Sequence, residues 1–119
     1  MRTKAERLCA LLIVLVTALA SFAVGRQTAP TMNTKLDNAK VTVTESLTPA
    51  GGRREPYTRP TDQIIIFLDD AGYDSIDGAG EATARQRRSG DIVWHTKGEA
   101  APLLVNKGKA YRNLIVALK

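Results

Sequence analysis

The chain has 119 residues, a formal net charge of +5 and a single cysteine. This length allows one small domain, and one cysteine excludes an internal disulfide framework. A modest positive charge favours solubility but identifies no class of partner.

The first 23 residues have the pattern of a secretory signal peptide. Three basic residues within the first seven positions precede an uncharged run, residues 8–25, that is rich in leucine, valine and alanine. A basic start, an apolar run and small residues at its end are typical of such signals. We predict a signal helix that is cleaved after Ala23, with Ala20 as the alternative site, and a protein exported to the periplasm or secreted from a bacterial cell.

An uncleaved membrane anchor is the alternative for residues 8–25, since about 17 to 18 apolar residues lie at the lower limit for spanning hydrocarbon. No basic stop-transfer cluster follows the run at once, which favours cleavage. Membrane contact is therefore predicted only through this segment, and only if it stays uncleaved. Cys9 lies at the beginning of the run and is predicted to be one of its apolar residues.

The next segment changes from irregular to alternating. Residues 24–38 contain few apolar side chains and are predicted to be a flexible tether. From Lys40 to Leu47 polar and apolar residues alternate, which predicts a strand. Glu45 interrupts the apolar face of this strand, which favours a position at an edge or at the mouth of a barrel. Residues 48–60, with three prolines, are predicted to turn and then run extended.

The remaining sequence predicts further strands separated by Gly, Asp and Asn turns. Residues 63–68 include an uninterrupted apolar run and are predicted to form a strand buried on both faces, at the centre of the core. The other predicted strands cover residues 73–76, 81–88, 92–95, 103–105 and 111–118. In the strand 81–88, Ala82 and Ala84 are the candidates to face inward. This spacing predicts an all-β domain, a sandwich or barrel, over residues 39–119.

Part of this domain resembles the first sequence motif of the cupin family. That motif is a glycine, five residues, histidine-x-histidine, three or four residues and a glutamate. Here Gly51 matches the glycine, Tyr57 and Arg59 stand at the two histidine positions, and Gln63 stands at the glutamate position.

The second cupin motif is matched later in the chain. Gly90 and Gly98 match its two glycines, Ala101 falls at its histidine, and Asn106 lies one residue beyond its asparagine. The two matches together imply a small cupin-type jelly-roll barrel. The chain is similar to small exported bacterial cupin-like proteins that lack the metal ligands, for which the resemblance implies no established activity.

The residues at the motif positions differ from those of a cupin metal site. Such sites hold a divalent metal with two or three histidines and a glutamate, a set of nitrogen and oxygen ligands with open positions. Tyr57, Arg59, Gln63 and Ala101 cannot reproduce this set, and Arg59 brings a permanent positive charge. We therefore predict no metal and no cofactor, and metal-dependent dioxygenase or isomerase chemistry is disfavoured.

The cupin register implies that Tyr57, Arg59 and Gln63 point into the barrel mouth, where we also place Trp94 and His95. A guanidinium and a phenol in an apolar cavity suit an anionic ligand such as a carboxylate or phosphate. The leading hypothesis is a metal-free protein that binds a small anionic molecule, or a protein partner, at this mouth. Alternatively, Arg59 binds nothing and pairs internally with a carboxylate, for which the candidates are Asp62, Asp91 and Glu99.

Two other functions remain open from the sequence. One is a metal-independent epimerase or isomerase that uses His95, the only histidine, as base and Tyr57 as acid, as some cupin-like sugar epimerases use their own histidine and tyrosine. The other is a structural module that forms a homodimer and whose cavity is filled by side chains. The clusters Arg53-Arg54 and Arg85-Arg87-Arg88 are predicted to belong to a solvated face that could touch anionic lipid headgroups, and no nucleic-acid partner is predicted.

Overall fold

The computed structural model describes residues 28–119, so the predicted signal peptide and the first part of the predicted tether lie outside the described residues. No helix within residues 28–119 is long and apolar enough to cross a membrane. The strands are β1 (Thr31–Asp37), β2 (Val41–Thr48), β3 (Arg53–Arg54), β4 (Tyr57–Thr58), β5 (Gln63–Phe67), β6 (Ala71–Ile76), β7 (Ala82–Arg87), β8 (Ile92–His95), β9 (Ala100–Ala101), β10 (Leu103–Asn106) and β11 (Tyr111–Leu118).

These strands form two main antiparallel sheets and one small sheet. The five-stranded sheet has the order β1-β2-β11-β5-β8, the four-stranded sheet has the order β3-β10-β6-β7, and β4 pairs with β9. Both main sheets contribute to one core, in which aromatic rings from β5, β6 and β11 lie against one another. The predicted all-β class is confirmed, with a barrel-like arrangement of sheets that encloses an interior.

The C-terminal strand is the centre of the larger sheet. β11 pairs with β2 over its whole length, from Tyr111 opposite Thr48 to Leu118 opposite Val41, and its other edge pairs with β5. Strands from opposite ends of the described chain therefore meet in the middle of one sheet.

Strand β5 differs from its prediction in one respect. Gln63, Ile65 and Phe67 are buried in the interior, whereas Ile64 and Ile66 on the other face are only partly buried. The expectation of burial on both faces is wrong for the described part of the chain, because no second layer of residues 28–119 covers the outer face of the sheet.

Part of the predicted tether, residues 24–38, forms strand β1, so the expectation of irregular structure is wrong there. Residues 31–37, expected to be irregular, pair antiparallel with β2, and the Asn38 side-chain oxygen accepts hydrogen bonds from the backbone N–H groups of Lys40 (2.8 Å) and Val41 (3.0 Å) in the connecting turn. All seven residues of β1 are exposed. The strand therefore exists through its backbone ladder, and its sequence carries no burial pattern that could have predicted it.

Because β1 covers the free edge of β2, the expected edge position of β2 is also wrong. β2 lies between β1 and β11. Its polar face is turned inward, with Ser46 and Thr48 buried, while Leu47 is exposed. The alternation in the sequence thus predicted the strand correctly, and a polar interior explains why hydroxyl side chains occupy its inner face.

Gly52 lies where the chain turns from β2 into β3, and no larger residue fits there. A Cβ atom at this position would lie 2.7 Å from the backbone oxygen of Pro49 and 2.9 Å from Cγ2 of Thr48. We expect Gly52→Ala to lower the unfolding free energy by about 1–3 kcal/mol, since backbone atoms must move to relieve the overlap. Gly78→Ala is the matched control, because nothing lies within 4 Å of its added Cβ. Equal midpoints for the two variants in urea denaturation would contradict the expectation.

Candidate functional site

The interior between the two sheets contains a cavity of about 600 Å³. Its lining includes four arginines, Arg54, Arg59, Arg85 and Arg87, and no aspartate or glutamate. A cavity with several cations and no lining carboxylate has a strongly positive electrostatic potential, because the low dielectric of the surrounding protein screens it poorly.

Arg59 is the most buried of these arginines, with 4% of its surface exposed. Its Nη1 donates hydrogen bonds to the hydroxyl of Tyr57 and to Oε1 of Gln63, both at 3.1 Å. Its Nε has no hydrogen-bond partner among residues 28–119, and the Oε2 atom of Glu99 lies 4.0 Å away on a side chain that is 45% exposed. The positive charge of Arg59 is therefore incompletely neutralised within the protein.

Arg54 lies against the same tyrosine. The guanidinium carbons of Arg54 and Arg59 lie over the Tyr57 ring, 5.3 Å and 5.5 Å from its centroid. Arg54 Nη2 donates to the carbonyl oxygen of Pro102, while its buried Nε has no hydrogen-bond partner in the described part of the chain. Burial lowers the pKa of Arg54, and the positive charge of Arg59 lowers it further. These two cations share one small region with no anion between them.

The other two arginines come from β7, where they are two residues apart on one face of the strand. Nε of Arg87 donates to the hydroxyl of Tyr73 at 3.3 Å, and its guanidinium carbon lies 6.0 Å from the centroid of Phe67. No carboxylate within residues 28–119 forms an ion pair with Arg85 or Arg87. The β7 wall of the cavity is therefore also cationic.

Apolar and aromatic side chains form the rest of the interior. The rings of Phe67, Tyr73 and Tyr111 lie 6.0–6.4 Å apart between centroids, which are contact distances for aromatic groups. Burial raises the pKa of Tyr111, so its phenol stays protonated. The cavity thus combines cationic walls with an apolar, aromatic surface.

His95 lies at the cavity beside Arg59. Its Nδ1 is 3.2 Å from Oε2 of Glu99, and Oε1 of Glu99 accepts a hydrogen bond from the backbone N–H of Thr96 at 3.0 Å. Burial and then the charge of Arg59 lower the pKa of His95, against the opposing effect of Glu99. The imidazole is therefore neutral at neutral pH and can accept a proton.

The titration of His95 should report on whether the cavity is occupied. In the empty protein we expect its pKa below the ordinary 6.5. The stability linked to this residue should then be complete above the unfolded value and decline as the pH falls through the folded pKa. An anion beside Arg59 would offset that positive charge and raise the pKa. Because His95 is the only histidine, one NMR ring resonance followed against pH measures both states; an unchanged pKa at a saturating anion concentration would contradict the expectation.

The positions that hold the metal in cupins do not fit a metal here. Tyr57 pairs with Ala101 between β4 and β9, and Arg59 is hydrogen-bonded to Gln63. A guanidinium cannot ligate a cation, and the alanine has no donor atom in its side chain. Nor does the structure of residues 28–119 contain a group of three or more His, Cys, Asp or Glu side chains that could hold a metal ion.

Of the predicted site residues, Tyr57, Arg59 and His95 line the cavity. Gln63 is buried and holds Arg59 through its side-chain oxygen. Trp94, by contrast, is 52% exposed on the outer face of the sheet and does not line the cavity, so its expected place at the mouth is wrong. Successive side chains of a strand point to opposite faces, so His95 and its neighbour Trp94 cannot both face inward.

Three lining arginines were missed from the sequence. Arg54, Arg85 and Arg87 were expected on a solvated face but line the cavity, although Arg85 is also exposed to solvent as expected. On β7 the face of Arg85 and Arg87 borders the cavity rather than the face of Ala82 and Ala84. Arg85 and Arg87 do share one face by their spacing, so the strand pattern contained a signal. No other feature of the sequence indicates that this face lies inside, since positive charge normally faces solvent.

The alternative of a cavity filled by side chains is also wrong, because the interior contains an unfilled volume of about 600 Å³. This volume falls within the range of small-molecule sites in proteins. Of the carboxylates expected to pair with Arg59, Glu99 forms a long ion pair with it, with Oε2 at 4.0 Å from Nε. The other two bind elsewhere, because Asp62 accepts from the backbone of Lys97 and Asp91 accepts from the backbone of Arg88.

Comparison with solved structures identifies the fold as that of the cupin domain. A cupin domain from Bordetella pertussis Tohama I superimposes with a TM-score of 0.68 at 17% identity, over 76% of this chain and 94% of that one. The polyketide cyclase RemF from Streptomyces resistomycificus gives 0.62 at 19% identity, over 75% and 64%. A cupin superfamily protein from Desulfitobacterium hafniense gives 0.58 at 12% identity, over 75% and 76%. No protein-family model and no curated protein matches the sequence.

Proposed function

We propose that this protein binds a small anionic organic molecule inside its cupin-type barrel. The observation that carries the proposal is the pair Arg54 and Arg59, whose guanidiniums lie over the ring of Tyr57 and each retain a buried Nε without a hydrogen-bond partner in the described chain. A carboxylate or phosphate at this position would accept hydrogen bonds from both guanidiniums.

Burial makes the positive charges of Arg54 and Arg59 energetically costly. Removing a cation from water is costly unless a charge of opposite sign or several hydrogen bonds compensate it. Arg59 is almost fully buried, its nearest carboxylate is Glu99 at 4.0 Å, and Arg54 adds a like charge beside it. An anionic ligand would offset this cost, whereas a cationic ligand would increase it. An acidic segment of a protein partner could supply the same groups, but an interior cavity favours a small molecule.

The experiment that tests the proposal is thermal unfolding of the protein with and without small carboxylates and phosphates. Anions that bind the folded state should raise the melting temperature with concentration. Arg59→Ala should abolish this increase, whereas Arg53→Ala should preserve it, because Arg53 is exposed and pairs with Glu55 outside the cavity. If Arg59 has only an internal structural role, its variant will be destabilised to the same extent at every anion concentration, and the proposal fails.

A second candidate function is metal-independent isomerisation or epimerisation with His95 as base and Tyr57 as acid. It is favoured by the presence of both residues at one cavity and by the lowered pKa of His95, which leaves the imidazole free to accept a proton. Arg59 donates a hydrogen bond to the Tyr57 oxygen and would stabilise negative charge there after proton transfer. Exchange of a bound ligand's C–H protons with deuterated solvent would measure this activity; exchange that persists in His95→Ala would eliminate it.

We also propose that the protein is exported. The support is the basic, apolar and small-residue pattern of residues 1–23. N-terminal sequencing of protein recovered from the exported fraction should begin at Val24 or Ser21. Recovery of a chain beginning at Met1 from the membrane fraction would instead favour an anchor formed by residues 8–25.

A further inference from the structure

The four cavity arginines belong to two groups on opposite sides of the interior. Arg54 lies on β3 and Arg85 and Arg87 lie on β7, and these are the two edge strands of the four-stranded sheet with the order β3-β10-β6-β7. Three strand spacings of about 4.8 Å place the two edges about 14 Å apart. Arg59 belongs to the first group, because it shares Tyr57 with Arg54.

Along strand β5 of the larger sheet, the two groups of arginines are separated by a similar distance. Arg59 is bonded to Gln63 at one end of β5, and Arg87 lies over Phe67 at the other end. Four residues of strand correspond to about 13 Å. The two cationic groups therefore lie at opposite ends of the cavity rather than around one point.

The surface between the two groups is largely apolar, and polar side chains that also line the cavity, such as Ser75 and Asn113, are uncharged. From the larger sheet Ile65, Val93 and Ile115 line the cavity, and Leu104 and Tyr73 line it from the smaller sheet. None of these side chains can neutralise either group of arginines. A ligand with one anionic group beside Arg59 would leave Arg85 and Arg87 without a carboxylate partner among residues 28–119.

We infer that the ligand carries two anionic groups joined by an apolar or aromatic body. This inference rests on the proposed function and specifies the chemical class that the cavity accepts. One anionic group lies between Arg54 and Arg59, the other lies at Arg85 and Arg87, and the body lies against the aromatic side chains of the interior. Allowing for the length of the arginine side chains, the two anionic groups are separated by roughly 8–10 Å.

The test compares α,ω-dicarboxylates of increasing length with monocarboxylates of the same length, by isothermal titration calorimetry on the purified protein. We expect dicarboxylates of about eight carbons to bind about tenfold more tightly than either succinate or the matched monocarboxylate, since charge-assisted hydrogen bonds form at both ends. The double variant Arg85→Gln/Arg87→Gln should lose this preference and keep the monocarboxylate affinity. Arg88→Gln, which changes an exposed arginine outside the cavity, is the matched control.

The outcomes distinguish failure of the two-ended ligand from failure of the proposed function. Equal affinity for mono- and dicarboxylates, or a preference that survives in the double variant, overturns the two-ended ligand and leaves the proposed function intact. If neither series binds and neither stabilises the protein against heat, the proposed function fails as well.

A different observation supports a second inference, about the outer face of the five-stranded sheet. Apolar side chains cluster there on neighbouring strands, and they are Ile92, Trp94, Ile64, Ile66, Leu114, Val116, Val43 and Leu36. Leu47 lies on the same face but is separated from this cluster by Glu45 and Arg112. Ile92 is 69% exposed and Trp94 is 52% exposed. The solvated face of an antiparallel sheet is normally polar, so exposed apolar side chains on this face indicate an interaction surface.

The area of this outer face suits a second copy of the chain. Five strands at about 4.8 Å spacing and about 20 Å in length give roughly 500 Å² for one face, so two facing copies would bury on the order of 1,000 Å². That value reaches the lower limit for a specific protein interface.

The charges on the face also favour a second copy. Glu45 pairs with Lys35 at 3.2 Å and with Arg112 at 3.8 Å, and Arg112 pairs with Asp69 at 2.9 Å. Because these charges neutralise one another within the chain, two identical faces can meet without repulsion.

We propose that the outer face of the five-stranded sheet joins two copies of this chain in a homodimer. Trp94 is the only tryptophan, so its fluorescence reports directly on the face. We expect the emission to shift to shorter wavelength as the protein concentration rises, together with a doubling of mass in sedimentation velocity. Ile92→Glu should abolish both changes, and Met32→Glu should preserve them, because Met32 is exposed to a similar extent but points to the cavity side of β1.

A monomer at every concentration would overturn the homodimer. So would a dimer in which the Trp94 emission does not change, because the copies would then associate through another surface. Circular dichroism of both variants checks that they fold. If Ile92→Glu is unfolded, its loss of the dimer carries no information, and Leu47→Glu, on the same face, replaces it in the measurement.

Discussion

Replacement of Asn106 by aspartate is expected to lower the unfolding free energy by about 3 kcal/mol at neutral pH. Asn106 is 3% exposed, and its Nδ2 donates hydrogen bonds to the carbonyl oxygens of Pro49 and Lys109, both at 2.9 Å. Its Oδ1 accepts from the N–H of Gly108 at 3.0 Å. This side chain therefore joins the turn after β2 to the turn before β11, and an aspartate oxygen would face two carbonyl oxygens without a hydrogen to share.

The pH dependence identifies the cause of this loss. Burial beside carbonyl oxygens raises the pKa of the introduced carboxyl, so the part of the penalty that arises from ionisation is complete above the folded pKa and disappears below the unfolded pKa. The stability difference between variant and native protein should thus become smaller as the pH falls toward 4. Urea denaturation at several pH values measures this difference.

Asn38→Asp is the matched control. Asn38 uses only its side-chain oxygen, which accepts from the backbone N–H groups of Lys40 and Val41, and an aspartate oxygen accepts the same bonds. We expect a change within about 0.5 kcal/mol for this exposed turn residue. A similar loss for the two variants would show that the Asn106 amide hydrogens do not hold the two turns together.

Phe67→Ala is expected to lower the unfolding free energy by about 3–5 kcal/mol. Phe67 is buried and lies 6.0 Å from Tyr111 and 6.4 Å from Tyr73, between ring centroids, so it joins the two sheets through the aromatic cluster. Its loss removes apolar contacts from both sheets and enlarges an interior that already contains a cavity. The chain has few fully buried large side chains to compensate, since no side chain among the described residues falls below 2% exposure.

The conservative variant Phe67→Leu distinguishes the effect of lost buried volume from the effect of lost aromatic contacts. It keeps most of the buried volume and should cost less than about 1.5 kcal/mol. Calorimetric or urea-denaturation measurements on both variants give the comparison. If both variants lose the same free energy, the ring contacts rather than the filled volume carry the contribution of this residue.

Strands that pack against the core were predictable from the sequence. β8 (Ile92–His95) and β11 (Tyr111–Leu118) have the predicted bounds, because β-branched and apolar residues bounded by turns specify them locally. β1 was missed since its pairing with β2 leaves no buried residue. The two-residue strands β3, β4 and β9 lie in segments with prolines, where only the tertiary fold decides which backbone groups pair.

The site was predictable where the spacing of the cupin motifs applied and at His95, which is the only histidine. Tyr57 and Arg59 follow Gly51 at the motif distances, and both line the cavity. The arginines of β7 belong to no motif, and a strand of alanine, arginine and glutamine has no apolar side to indicate its inner face. The cationic nature of the cavity therefore emerges only when the two sheets are brought together.

The position of β11 has a consequence for the order in which the chain can acquire its structure. β11 lies between β2 and β5, so the five-stranded sheet cannot close until Leu118 is available to pair with Val41. During synthesis from the N-terminus, β2 and β5 are exposed to solvent without their common partner, and contacts between strands so distant in sequence form slowly. The larger sheet is therefore completed only after β11 has been synthesised, whereas the hairpin of β1 and β2 and the four-stranded sheet need no residue of β11 for their own pairing.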